Sequence, residues 1–162
     1  MKSFIDFNME TMGGCESFLF APKEDILQIP AVVNNVIAQE VQFLGANTFY
    51  LGAAIMDTLS FSEEQQDGDP GASFKTEITG MVPRLTAEYL DLFNEMRRHR
   101  FVVLVKDNNG LTRLCGTKTN GMKFWFKQST KTTPSGLNGF EFGFSLISEK
   151  PAPFYTYTEP VS

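Results

Sequence analysis

The chain has 162 residues, enough for a single domain that buries about 70% of the surface its unfolded form exposes, without metal or disulfide support. A formal net charge of −5 opposes general attraction to nucleic acid or to an anionic membrane, and no stretch approaches the roughly 18 apolar residues of a membrane helix. Sixteen phenylalanines weight the composition toward β structure, because aromatic side chains fit a pleated, half-buried surface.

The opening "MKSFIDFNMETMGGC" interleaves Asp6, Asn8 and Glu10 with its apolar residues, so it lacks the uninterrupted core of a secretory signal. Its glycines lie too far from residue 2 for myristoylation. Cys15 and Cys115 are far apart and no histidine stands at a metal-ligand spacing from either. The expectation is a soluble protein of a reducing cytosol with no disulfide, metal or cofactor.

Early strands are expected at "CESFLF" (15–20), "DILQI" (25–29) and "EVQFLG" (40–45), punctuated by Pro22 and Pro30. The segment "AVVNNVIAQEV" between them allows a short helix instead, since Val32, Val36 and Ile37 fall at helical spacing. "AIMDTLSF" (54–61) reads as a strand that leads into a polar loop, "SEEQQDGDPG". "ASFKTEITG" then alternates Phe74, Thr76 and Ile78 against Lys75, Glu77 and Thr79, which is a half-buried strand.

The spacing predicts a helix from Leu85 to Arg98, with Leu85, Tyr89, Leu92, Phe93 and Met96 on one stripe and Pro83 or Thr86 at its start. "FVVLVK" follows as a strand covered on both faces, "DNNG" turns the chain back, and "LTRLCGT" is the partner strand. "MKFWFKQS" and "FEFGFSLIS" form a second pair, joined by the long "TKTTPSGLNG" connection, each with one strongly apolar face. "PFYTYTEP" reads as an edge strand or arm. The whole is one mainly β domain over 1–162, an antiparallel sandwich or barrel with one flanking helix. Residues 1–70 form a less regular portion, 72–148 the core, and 149–162 an arm or edge strand.

Arg97, Arg98, His99 and Arg100 make the densest charge cluster. At a helix end the cations gain about 0.3–1 kcal/mol from the helix dipole, which is the structural reading, and contact with an acidic partner is the functional one. His99 is the only histidine, and no "GxSxG" elbow supplies it with a nucleophile, so no catalytic role is assigned. Glu63, Glu64, Asp67 and Asp69 lack calcium-loop spacing and are read as a solvated acidic loop able to meet the arginines of another copy. Trp125 between Lys123 and Lys127 has the pattern of a single-strand nucleic-acid platform, although an ordinary half-exposed strand is written the same way.

The order "FKTEITG", "LTAEYLDLFNEMRRHRFVVLVKDNNGLTRLCGTKTNGMKFWFKQST" and "NGFEFGFSLIS", a strand, one amphipathic helix, a hairpin and two aromatic strands, resembles structural proteins of tailed bacteriophages of the tail-tube, tail-completion and ring type. The resemblance covers roughly residues 72–148. It implies a sandwich or barrel packed side by side into a homo-oligomeric ring, in contact with adjacent virion proteins, around a channel that DNA traverses without specific binding. It also implies a virion location after synthesis in a bacterial cytoplasm and no catalytic residue. The interface residues would be Arg97, Arg98 and Arg100 against Glu63, Glu64, Asp67 and Asp69. The competing function is a nucleic-acid-binding barrel that uses Lys123, Trp125, Lys127 and the basic helix end.

Overall fold

The computed structural model describes residues 1, 17–55, 57–69, 71–83, 86–107, 109–129 and 139–159. The fold is mainly β, a curled and almost wholly antiparallel sheet with one flanking helix among the described residues. Its strands are β1 (Ser17–Pro22), β2 (Ile26–Gln28), β3 (Val36–Ile37), β4 (Gln42–Phe43), β5 (Tyr50–Ala53), β6 (Ser60–Gly68), β7 (Gly71–Val82), β8 (Arg100–Lys106), β9 (Thr112–Cys115), β10 (Met122–Ser129), β11 (Gly139–Ser148) and β12 (Phe154–Tyr155). The helix, α1, spans Ala87–Met96.

Strand β8 organises the molecule. Along one edge it pairs with β1 over Phe101–Val105. Along the other, its last residues pair with β9 and its first with β10. The sheet therefore divides at β8, continuing through β9 and β12 to β3 on one path and through β10, β11 and β7 to β6 on the other. All five residues Phe101–Val105 are buried, as an uninterrupted apolar run predicts. Phe101, Val103 and Val105 enter the larger core with Phe18, Phe20, Phe124, Phe142 and Phe144, whereas Val102 and Leu104 enter a second one with Ala21, Ile26, Ile37, Val41 and Tyr155. In the larger core most ring pairs meet edge-on or tilted, as with Phe101 and Phe144 at 5.7 Å and 79°, while Phe124 and Phe142 stack at 25°.

Helix α1 begins at Thr86, whose hydroxyl accepts the Tyr89 N–H at 3.3 Å, a cap that stabilises by about 1 kcal/mol. Its buried stripe of Tyr89, Leu92, Phe93 and Met96 closes the larger core, with Phe93 packed on Phe124 and Phe126. The cap settles the choice between Pro83 and Thr86. The helix is shorter than predicted, since Arg97–His99 form a turn, and Leu85 lies outside the described residues.

Several expectations are corrected. The "VNNV" step is a two-residue hairpin and not a helix: Val33 and Val36 exchange backbone hydrogen bonds, and Asn34 and Asn35 both take positive φ (52° and 63°), which asparagine tolerates. The polar segment from Ser62 is no loop. It lies in β6, paired with β7 from Ser60↔Thr79 to Gly68↔Gly71, because ladder hydrogen bonds belong to the backbone and a polar sequence can make them. The strand expected at 54–61 starts only at Ser60. The early strands are also displaced: β1 continues through Pro22, and the expected strands at 25–29 and 40–45 shrink to β2 and β4, which form a small separate sheet. Strand β12 is not an edge, since it lies between β9 and β3. Cys15 and the 130–138 connection lie outside the described residues.

Candidate assembly and ligand-binding surfaces

The basic cluster sits at the C-terminal end of α1, where the helix passes into β8. Arg97 caps the helix through its backbone, and Arg97, Arg98 and Arg100 are exposed and make no ion pair among the described residues. His99 is half-buried, with its Nδ1 4.0 Å from Glu24 Oε2. Beyond it, Arg100 stands directly opposite Lys123 in the β8–β10 register, so the two cations share the face of the sheet that points away from the larger core.

That face continues across the β10–β11–β7–β6 layer in rows. One row runs Arg100, Lys123, Ser145, Glu77, Ser62, and the next runs Trp125, Gly143, Thr79, Ser60. The Trp125 indole lies across Gly143: a Cβ there would come within 2.4 Å of the indole Cζ2. The absent side chain is what lets the ring lie flat. Lys127 occupies the third row and pairs with Glu141 at 3.3 Å.

The acidic set divides. Glu64, Asp67 and Asp69 are exposed along β6 and at its turn, and Asp67 accepts a hydrogen bond from Gln65 Nε2 at 3.1 Å. On β6, Glu63 lies on the face opposite Glu64 and shared with Asp67, and it is half-buried. Its Oε2 accepts from Thr76 Oγ1 at 3.0 Å and from the Ala152 N–H at 2.8 Å, and Thr76 is the one polar residue 1% exposed among the core side chains described. Beside this contact the Arg113 guanidinium lies over Phe61 (5.3 Å) and Phe154 (4.4 Å) and reaches the Ala152 carbonyl at 3.5 Å. Glu63, Thr76 and Arg113 thus clamp the Pro151–Pro153 segment against the β6–β7 hairpin. A sequence search for acidic runs places Glu63 with its neighbours. Only the alternation of a strand, hidden by the polarity of this one, separates it from Glu64.

At the far end of the second core the Tyr155 hydroxyl donates to Glu159 and accepts the Val41 N–H at 3.2 Å. Burial and the nearby negative charge of Glu40 hold the Glu159 carboxyl above the usual carboxylate range, against the lowering effect of the Tyr155 hydrogen bond. Burial also pushes the Cys115 thiol well above its usual range, so it stays neutral in the folded chain. A groove of about 870 Å³ runs between the Asn34–Asn35 turn and the 148–153 segment, over Ile29, Val32 and Ile147. Among the described residues no group of three His, Cys, Asp or Glu side chains could hold a metal ion, and no helix is long and apolar enough to cross a membrane.

The β8–β10 register thus sets Arg100 beside the Lys123–Trp125–Lys127 strand, and the part-buried hydrogen bonds of Glu63 withdraw it from the exposed acidic set. No protein-family model, curated protein or solved structure matches the chain.

Proposed function

We propose that the chain is a non-enzymatic structural subunit of a tailed-bacteriophage particle, a tail or neck component whose copies close into a ring around the DNA channel. The observation that carries this reading is the separation of two sets of charges that make no ion pair among the described residues. The arginines stand where α1 meets β8, and Glu64, Asp67 and Asp69 lie on β6 and its turn, four strands further along the sheet. At about 4.8 Å per strand the path along the sheet is roughly 19 Å. Among the described residues strand β6 pairs on one side only, and an outer edge of this kind is an attachment site unless charge protects it. Two copies joined edge to edge through β6 would lay one acidic strand beside another, which like charge disfavours. Contact between the acidic edge of one copy and the arginines of the next is head-to-tail, the type that closes into rings.

The ring would form in the virion after synthesis in the host cytoplasm and bind adjacent virion proteins above and below. Native mass spectrometry and electron microscopy test it. Arg97→Glu with Arg98→Glu should dissolve the oligomer, and adding Glu64→Lys, Asp67→Lys and Asp69→Lys should restore part of it. Glu63 is left intact so that assembly is not confounded with folding. A chain that stays monomeric even with its neighbouring virion proteins present would sink the proposal.

A further inference from the structure

The geometry points to a binding strip for single-stranded nucleic acid on the outer face of β10, formed by Arg100, Lys123, Trp125 and Lys127. Three observations place these groups together. The β8–β10 register sets Arg100 opposite Lys123 on one face. The period of two along β10 places Lys123, Trp125 and Lys127 on that same face, one row apart, or about 7 Å. Gly143 lets the indole lie flat against the sheet, half-exposed, and no other ring contacts it among the described residues. An aromatic held flat on a regular strand, with cations in the rows on either side, suits an unpaired base stacked on the ring and its flanking phosphates on the lysines. Every base has a π face, so recognition would not depend on sequence.

The charge balance on the strip is favourable despite the acidic chain as a whole. Arg100 and Lys123 make no ion pair among the described residues, and only Lys127 is partly neutralised, by Glu141. Glu77 shares the Lys123 row but lies two strands away and pairs with Lys75 at 3.6 Å. Duplex DNA keeps its bases stacked on each other and has none to offer Trp125, so the strip distinguishes single strands from a duplex passing a channel. This inference stands independently of ring assembly.

Trp125 is the only tryptophan, which makes it a direct reporter. Titrating the full chain with a thymidine oligonucleotide at low salt should quench its emission. With three cations engaged at about 0.7 counterions each, log affinity should fall with log salt at a slope of about −2, or roughly 20-fold between 50 and 200 mM. Binding of a fluorescein-labelled oligonucleotide, read by anisotropy, should weaken about tenfold or more in Trp125→Ala, and less in Trp125→Phe, which keeps a ring to cover Gly143 and guards against misfolding. Arg100→Gln with Lys123→Gln should flatten the salt slope to about −0.7. Absence of quenching at low salt would overturn the assignment. So would duplex DNA or heparin binding as tightly as the single strand, since either result would mean charge attraction without stacking, and so would a double variant whose affinity and salt slope match the wild type.

Discussion

Glu63→Ala tests whether the acidic hairpin is built into the fold. The substitution removes the acceptor of two hydrogen bonds at once and strands the Thr76 hydroxyl, which is 1% exposed, and the Ala152 N–H. Hydrogen bonds to a charged acceptor contribute about 1.5–3 kcal/mol each. Because Glu63 and Ala152 are only half-buried and water can reach part of the site, the lower end of the combined range applies, about 3 kcal/mol. For a chain of this size that is a fall of roughly 6–12 °C in Tm. Glu63→Gln keeps an oxygen acceptor in place and should cost about 1 kcal/mol. Thr76→Val removes a buried donor while preserving shape, so Glu63→Ala added to Thr76→Val should cost less than the sum of the two alone. Urea denaturation followed by Trp125 emission measures the wild type and all four variants. A loss under about 0.5 kcal/mol in Glu63→Ala, or equal losses in the Ala and Gln variants, would refute the clamp.

Two further outcomes follow from the buried titratable groups. Cys115, its thiol held neutral by burial, should react with a thiol reagent many times more slowly in the folded Cys15→Ser chain than in urea, and equal rates would contradict its packing. Glu159 has a folded-state pKa raised above its unfolded value, so its contribution is complete below the unfolded pKa and is lost as pH rises through the folded one. The wild-type chain should accordingly lose stability relative to Glu159→Gln as pH climbs from mildly acidic to neutral, measured by urea unfolding at each pH. A difference that stays flat or reverses would show that Glu159 is not buried beside Glu40.

The parts of the fold that sequence made legible are those in which hydrophobic pattern and backbone geometry agree. Phe101–Val105 has no polar residue and is buried on both faces; Tyr89, Leu92, Phe93 and Met96 keep helical spacing and form the helix stripe. Strand β6 escaped because its residues are nearly all polar, and a strand held mainly by its ladder to β7 leaves no hydrophobic trace. The Asn34–Asn35 hairpin escaped because apolar residues around a two-residue turn also fit a helical period. Among the surface residues, Arg97, Arg98 and Arg100 stand at a helix end as composition and periodicity require. The pairing of Arg100 with Lys123, and the turning inward of Glu63, depend on register between distant segments, which one-dimensional spacing does not encode.

Because β8 supplies alternate side chains to both cores, the protein cannot be shortened to the segment from 72 to 148 and keep its structure. Such a fragment would retain β8 but lose β1, which covers its edge from Pro22 to Phe18, and with it Phe18 and Phe20 from one core and Ala21 from the other. Val102 and Leu104 would also lose Ile26, Ile37, Val41, Phe49 and Tyr155, leaving an apolar face open to water on the most hydrophobic strand of the chain. Expressed alone, that piece is an aggregation hazard. The minimal unit that folds, and therefore the unit to be cloned, crystallised or fused, must carry the early strands and the C-terminal segment through Tyr155.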